Sequence, residues 1–399
     1  MDFSAALWSD LPLEMLEQVL SYLPVPDLCR YRTVCKRWDR LMCDPKFGSL
    51  CAQNAAKREA SLIAMRYSTR DWFHKGWCFL DVNARRWYVV KDNGQGIRHN
   101  HLRIDGGLVC QYLLDNMWPN RIIVYNPISQ THREVPTVPL KYLASKYKSL
   151  ELLFVVDNIS QSFKIFLFYI SKKEPRMPRE LILENILKLV YDSVTNEWKT
   201  LNSPICISSG SKLLGSRVLF QGYLYFTRST YSARRLQEEH TVRRYNLVKD
   251  AWENLDVPLR DVCPSTRLVV SANRLFLVGW SKGGGLGFDD GGPWLFQLSE
   301  LKIHEMRREV LFKMSKADVL ERFETGINDR MTILPSISAF SFGNSLLFMS
   351  KSTGISAAFD VVTRSWDWNF PPNPLEYLPN EQCSWVGEQM NLLLPCTPW

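Results

Sequence analysis

The sequence predicts an α+β chain in two unlike parts, a small helical unit near the N-terminus and a large all-β domain after it. Two observations carry the division. Over the first fifty positions apolar residues recur at the three- and four-residue intervals of a helical face, whereas later they come in short runs of Val, Ile, Leu, Phe and Tyr broken by Gly, Pro, Asn and Asp. A third observation makes the second part repetitive: five of its runs place an Asp or Asn six residues before an aromatic ring.

Composition sets the frame. The chain has 399 residues, 46% apolar and 23% charged, which is ordinary for a globular protein too long for one small core. Its formal net charge is +8, but 41 acidic residues are mixed among 49 basic ones without long runs, so no dedicated nucleic-acid arm is expected. Ten cysteines lie scattered with no CxxC pair, which points to reduced thiols and away from zinc or a disulfide framework. The start "MDFSAALWSDLP" lacks a signal-peptide pattern, and no apolar run is long enough to span a bilayer. The expectation is a soluble protein of the nucleus and cytoplasm, with no membrane partner.

The helical unit runs through "DLPLEMLEQVLSYLPVPDLCRYRTVCKRWDRLMCDPKF" from Asp10. Asp10 and Pro12 suit a helix start, Leu16, Val19, Leu20 and Leu23 share a face, and Pro24 and Pro26 stop it. Leu28, Tyr31, Arg32 and Cys35 suggest a second helix, and Trp38, Leu41 and Met42 a short third before "DPKF" turns the chain. Three short helices bury little surface alone, so the unit wants a partner.

This stretch resembles the F-box, whose LP pair, central LP, VCKxW block and PxF tail occur here together and in order. The resemblance implies docking on a Skp-type adaptor, and through it on a cullin, in an SCF-type ubiquitin ligase. Carried over by position, it assigns Leu11, Pro12, Glu14, Leu16, Leu20, Leu23 and Pro24 to forming or supporting the adaptor-facing surface. Leu28, Val34, Cys35, Lys36 and Trp38 complete it. Cys35 beside Lys36 and Arg37 also has the cationic setting of a reactive thiolate, but a packing role is the expected one.

The repeats are "FLDVNARRW", "VYNPISQTH", "VYDSVTNEW", "RYNLVKDAW" and "AFDVVTRSW". They pair Asp81 with Trp87, Asn126 with His132, Asp192 with Trp198, Asn246 with Trp252 and Asp360 with Trp366, and "LFQLSELKI" around Gln297 reads as a degraded sixth copy. Each describes a strand, a turn held by the Asp or Asn side chain, and a returning strand that opens with a large ring. Further strands precede most copies, at Gly106, Gly222, Asn273 and Gly343. Four strands and about fifty residues per period describe the blade of a β-propeller. The repeats resemble those of plant F-box/kelch proteins, although the double Gly survives only at Gly106 and Gly107.

The predicted domains are a three-helix F-box over 8–50, a linker helix and lead-in over 51–72, and a six-bladed propeller over 73–399. The first copy has no room ahead of it for inner strands, so C-terminal strands from "SWVGEQMNLLLPCTPW" are expected to close the ring.

Long connections at Ser171 to Asn185, Ser229 to His240, Ser281 to Pro293 and from Arg307 should share one face of the disc. Arg234 and Arg235 are the expected target contacts, because arginine bonds carboxylates bidentately. Other chemistry is poorly supported. "KGGGLG" at Lys282 lacks the GK[ST] ending of a phosphate loop, and His99 and His101 lack ligand-spaced partners in what reads as a loop. No catalytic constellation stands out, and neither a metal nor a cofactor is expected. Two functions remain: a non-catalytic substrate receptor that holds an unidentified protein target for ubiquitination, or a scaffold or transcriptional co-regulator whose partner is not degraded.

Overall fold

The computed structural model of the chain describes residues 11–23, 25–55, 62–68, 75–91, 99–105, 107–113, 121–125, 132–138, 147–157, 160, 162–171, 186–201, 217–232, 237–249, 251–255, 257, 259, 266–282, 293–323, 334–350, 353–371 and 386–388. The helical unit has four helices where three were expected: α1 (Leu13–Ser21), α2 (Val25–Tyr31), α3 (Lys36–Met42) and α4 (Pro45–Ala55). "DPKF" starts the fourth helix instead of a turn. Pro45 needs no N–H partner at a first helical position, and the Asp44 carboxylate accepts the Lys46 N–H at 2.8 Å. Pro26 likewise lies in the first turn of α2.

Beyond the helices the described residues form six four-stranded sheets with neighbouring strands antiparallel. The first contains β1 (Leu62–Ser68), β2 (Lys75–Asp81) and β3 (Arg86–Lys91), and the second β4 (His99–Asp105), β5 (Leu108–Leu113), β6 (Arg121–Tyr125) and β7 (His132–Val135). The third contains β8 (Tyr147–Asp157), β9 (Ser162–Ser171), β10 (Ile186–Asp192) and β11 (Glu197–Leu201), and the fourth β12 (Arg217–Phe220), β13 (Tyr223–Ser232), β14 (Gln237–Asn246) and β15 (Ala251–Leu255). The fifth contains β16 (Arg267–Ser271), β17 (Arg274–Lys282), β18 (Trp294–Lys302) and β19 (Arg307–Ser315), and the sixth β20 (Ile337–Phe342), β21 (Ser345–Ser350), β22 (Ser356–Asp360) and β23 (Ser365–Asp367). A short C-terminal strand, β24 (Val386–Glu388), completes the first sheet by pairing with Ala64–Arg66 of β1.

Two expectations change here. Residues 51–72 are not one linking helix, because α4 ends at Ala55 and Leu62–Ser68 is a strand. The C-terminus therefore supplies one strand to the first sheet, and the segment after the helices supplies its neighbour.

The repeat works as its residues suggest. The Asp81 carboxylate accepts the Ala84 N–H at 2.9 Å, and Asp192 accepts that of Val194 at 2.9 Å. The Asn246 carbonyl accepts from Val248 and Lys249 at 3.0 and 2.9 Å, and Asp360 accepts from Val362 and Thr363 at 2.8 and 2.7 Å. Three of these turns end in a left-handed residue, Arg85 at φ 49°, Asn196 at 58° and Arg364 at 57°. That residue reaches back to the outer strand of the preceding sheet. Arg85 pairs with Asp367 at 2.6 Å, Asn196 accepts from Arg133 at 3.1 Å, and Arg364 donates to Glu309 at 2.9 Å. Contacts with Lys302 and then Arg364 hold the Glu309 carboxyl below its ordinary range.

The ring that opens the returning strand makes a second link. The Trp87 indole donates to the Pro371 carbonyl at 3.1 Å and Trp198 to that of Pro136 at 2.8 Å, each just past the preceding sheet's outer strand. Trp366 instead packs against Phe312, Phe359 and Trp368, with centroids 4.9, 5.1 and 4.9 Å away.

The sixth copy sits elsewhere than expected. Lys302 pairs with Arg307 where Asp192 pairs with Glu197, and Met306 takes the left-handed place at φ 48°, so the anchor is Lys302 and not Gln297. Arg308 occupies the position that Trp holds elsewhere. The expected copy at Asn126 lies outside the described residues as far as Thr131.

Apolar clusters join each sheet to the next from the second onward. Leu108, Tyr112 and Val124 meet Leu152 and Ile165; Phe166 and Phe168 meet Leu224 and Phe226; Val242 and Leu255 meet Leu275 and Leu277; Phe296 and Leu298 meet Phe348 and Phe359. Phe340 and Leu347 of the last sheet meet Ile63 and Leu80 of the first. A helix, α5 (Lys316–Phe323), fills the corner between the fifth and sixth sheets with Val319 and Phe323. Ser315 and Asp318 cap its start reciprocally, the Asp318 N–H donating to Ser315 Oγ at 3.1 Å and the Ser315 N–H to Asp318 Oδ2 at 3.0 Å.

Two glycines contrast backbone strain alone with strain plus close packing, Gly279 itself lying at φ +153°. Gly222 has φ +77° with open space where a Cβ would go, whereas a Cβ on Gly279 would stand 2.8 Å from the Thr266 Cα. Gly222→Ala should therefore cost about 1 kcal/mol, from left-handed strain alone. Gly279→Ala should cost about 3 kcal/mol, because backbone must move to admit the methyl. Thermal unfolding of both variants checks the order, and equal losses would refute the close-packing account.

Candidate docking surface

The helical unit has its own core of Leu16, Leu20, Leu28, Leu41, Met42, Phe47 and Cys51, with Leu23 and Trp38 packed on it. Three side chains of the expected adaptor set, Leu16, Leu20 and Leu28, are thus buried inside the unit and can only support a surface. Pro12, Glu14, Val34, Cys35 and Lys36 are exposed, Leu11, Leu23 and Trp38 are half-buried, and Pro24 and Asp10 lie outside the described residues.

Local bonds explain the arrangement. Pro12 is the residue before α1, and its carbonyl accepts the Leu16 N–H at 3.1 Å. The buried Asn54 amide donates to Ser21 Oγ at 2.7 Å, which ties α4 to the end of α1. Between α2 and α3 the chain turns through N–H bonds from Thr33 to Arg30 and from Val34 to Tyr31, both 3.1 Å. The second helix therefore stops at Tyr31, short of the expected Arg32 and Cys35. Arg32 pairs with Asp39 at 2.9 Å across the turn, and the Tyr31 and Trp38 rings meet edge-on at 5.6 Å.

Sequence periodicity missed the exposed apolar side chains. Leu13, Met15, Val19, Tyr22, Tyr31 and Val34 all stand in solvent, with Val19 at 42% and Val34 at 61%. Val19 was expected to share a face with Leu16 and Leu20, but it lies at the edge of that stripe and is exposed among the described residues. Met15, Val19 and Tyr22 share one side of α1 by their spacing, and Arg30, Lys36 and Arg37 of the same unit are exposed as well. Such a unit suits a protein partner with complementary apolar and acidic groups.

The loop face is only partly described. Arg234 and Arg235 lie outside the described residues, as do 172–185 and 283–292. The connection expected from Ser229 to His240 is mostly a hairpin, since β13 and β14 stay paired out to Ser232 opposite Gln237. The connection expected from Arg307 is the strand β19 followed by α5. His99 and His101 lie on β4, beside a bulge, and not in a loop. Among the described residues no group of three or more His, Cys, Asp or Glu is placed to hold a metal ion, and no helix is long and apolar enough to cross a membrane.

Residues 8–47 match the F-box-like family. An F-box/kelch-repeat protein of Arabidopsis thaliana is 24% identical over 372 residues, which are 90% of this chain and 83% of the relative. A putative F-box/kelch-repeat protein of the same plant is 27% identical over 41% of this chain and 44% of its own. Residues 8–47 are thus an F-box-like domain, and the chain is similar over most of its length to a plant F-box/kelch-repeat protein. The Arabidopsis thaliana protein UNUSUAL FLORAL ORGANS is also similar, at 21% identity over 92% of this chain and 79% of its own. Among solved structures, the β-propeller domain of the trilobed protease from Pyrococcus furiosus covers 78% of this chain and 82% of its own at 10% identity, with a TM-score of 0.40.

The F-box core and its exposed face should respond differently to the same charge. Leu20→Asp should unfold the helical unit, because an unpaired carboxylate inside so small a core costs several kcal/mol. Val19→Asp should leave it folded. Circular dichroism and protease resistance read the difference, and equal tolerance at both positions would contradict the burial assignment.

Proposed function

We propose that this protein is the substrate-recognition subunit of an SCF-type ubiquitin ligase, docking through its F-box on a Skp-type adaptor and so on a cullin. The supporting observation is the distribution of exposed apolar side chains. Of eleven exposed large hydrophobic residues among those described, six belong to the short F-box unit and five are spread over the remainder. A unit that has completed its own core and still presents Leu13, Met15, Val19 and Tyr22 from one helix is built to be covered by a partner. In this reading the protein contributes proximity and performs no bond chemistry itself.

The β domain is read as a six-bladed propeller whose ring is closed by β24, with the long connections on one face holding the target. Arg234 and Arg235 remain the proposed target contacts there. Closure through a single strand has a direct consequence. Truncation before Val386 should lower the melting temperature of the whole β domain, because β1 becomes an open edge and the first sheet loses its innermost strand. Unchanged melting would remove closure from the account.

The docking reading is tested by mixing purified chain with purified Skp-type adaptor. Val19→Asp together with Tyr22→Asp should raise the Kd at least roughly thirtyfold, since charges placed at an apolar contact are left without partners. Full-strength binding by a folded double variant would overturn the assignment of this face.

A further inference from the structure

The turn between α2 and α3 carries a feature that docking alone does not use. Thr33 is exposed at its centre, with Arg30 and Arg32 before it and Lys36 and Arg37 after it. Its hydroxyl donates to the Arg30 carbonyl at 2.7 Å, so it lies outside the core of the unit. Tyr31 and Val34, two of the exposed apolar residues, flank it on either side. An accessible hydroxyl with arginines one and three residues upstream has the pattern that a basic-directed serine/threonine kinase recognises. It is also placed where added charge matters most.

We propose that Thr33 is a phosphorylation site and that its phosphate releases the F-box from the adaptor. The inference rests on the docking reading above. In the reaction Thr33 Oγ1 attacks the γ-phosphorus of magnesium-bound ATP, the new O–P bond replaces the bond to ADP, and the hydroxyl proton passes to the kinase's base. The phosphoryl group brings about two negative charges. Esterification also removes the donor that held Oγ1 to the Arg30 carbonyl, and the two oxygens then repel each other. The phosphate therefore turns outward between Tyr31 and Val34, where contact with an apolar partner surface would strip its water. Arg30, paired with Asp27 at 3.3 Å in an exposed contact, is close enough in sequence to exchange that partner for the phosphate.

The test uses the full chain, a purified arginine-directed serine/threonine kinase with magnesium and ATP, and the purified adaptor. Peptide mapping should place one phosphate on Thr33, and the phosphorylated chain should bind the adaptor at least roughly tenfold more weakly, as should Thr33→Glu. Thr33→Val should accept no phosphate at that peptide and keep its affinity after kinase treatment. A folded chain that takes no phosphate at Thr33, or takes it and binds the adaptor unchanged, overturns the proposal. Failure of the untreated chain to bind the adaptor sinks the docking reading, and the proposal with it.

Discussion

A four-stranded sheet with two apolar faces is stable in water only when both faces are covered, and in this protein the cover for each sheet is another sheet. That requirement falls on the repeat anchor. The Asp or Asn fixes a tight turn, the turn puts one residue into left-handed conformation, and that residue and the following Trp reach the outer strand of the sheet before. The links at Arg85, Trp87, Asn196, Trp198 and Arg364 are built on one plan although the residues differ. Individually they are modest, being partly exposed polar contacts, so the bulk of the stabilisation comes from the apolar clusters they keep in register.

The helical unit faces the opposite problem. About forty-five residues cannot bury all their apolar side chains, and the F-box keeps one small core while leaving a band of them in solvent. The two parts thus divide the work physically. The β domain satisfies its own faces, and the unit that does not is the one proposed to dock. Thr33 is exposed beside Tyr31 and Val34 of that unit, so the proposed phosphate is expected to act on partner binding and not on folding.

Much of this was legible in the sequence where side-chain chemistry dictates backbone shape. The Asp81, Asp192, Asn246 and Asp360 turns follow from the hydrogen-bonding reach of short polar side chains, and the LP and VCKRW blocks marked the helical unit. Misreadings came where the decisive force was not local. Leu62–Ser68, "LIAMRYS", is rich in helix formers, and only its pairing with β2 and β24 makes it a strand. The sixth anchor carries neither Asp nor Trp, so only the left-handed Met306 and the register at Lys302 reveal it. The polar run from Ser229 read as loop because both faces of that extended hairpin lack an apolar alternation. Val19 could not be told from Leu20 by periodicity, since exposure at the margin of a stripe depends on what else packs there.

The central claim is that the six sheets form one cooperative body, tied by apolar clusters between neighbouring sheets and by anchor links that bind the third sheet to the second, the sixth to the fifth and the first to the sixth. Native-state hydrogen exchange on the intact chain at increasing denaturant tests it most directly. The account predicts that the second strand of every sheet, Leu62–Ser68 of the first included, opens with one shared free energy, to within about 1 kcal/mol. A first sheet that exchanges through its own lower-energy opening, with the other five still protected, would contradict it.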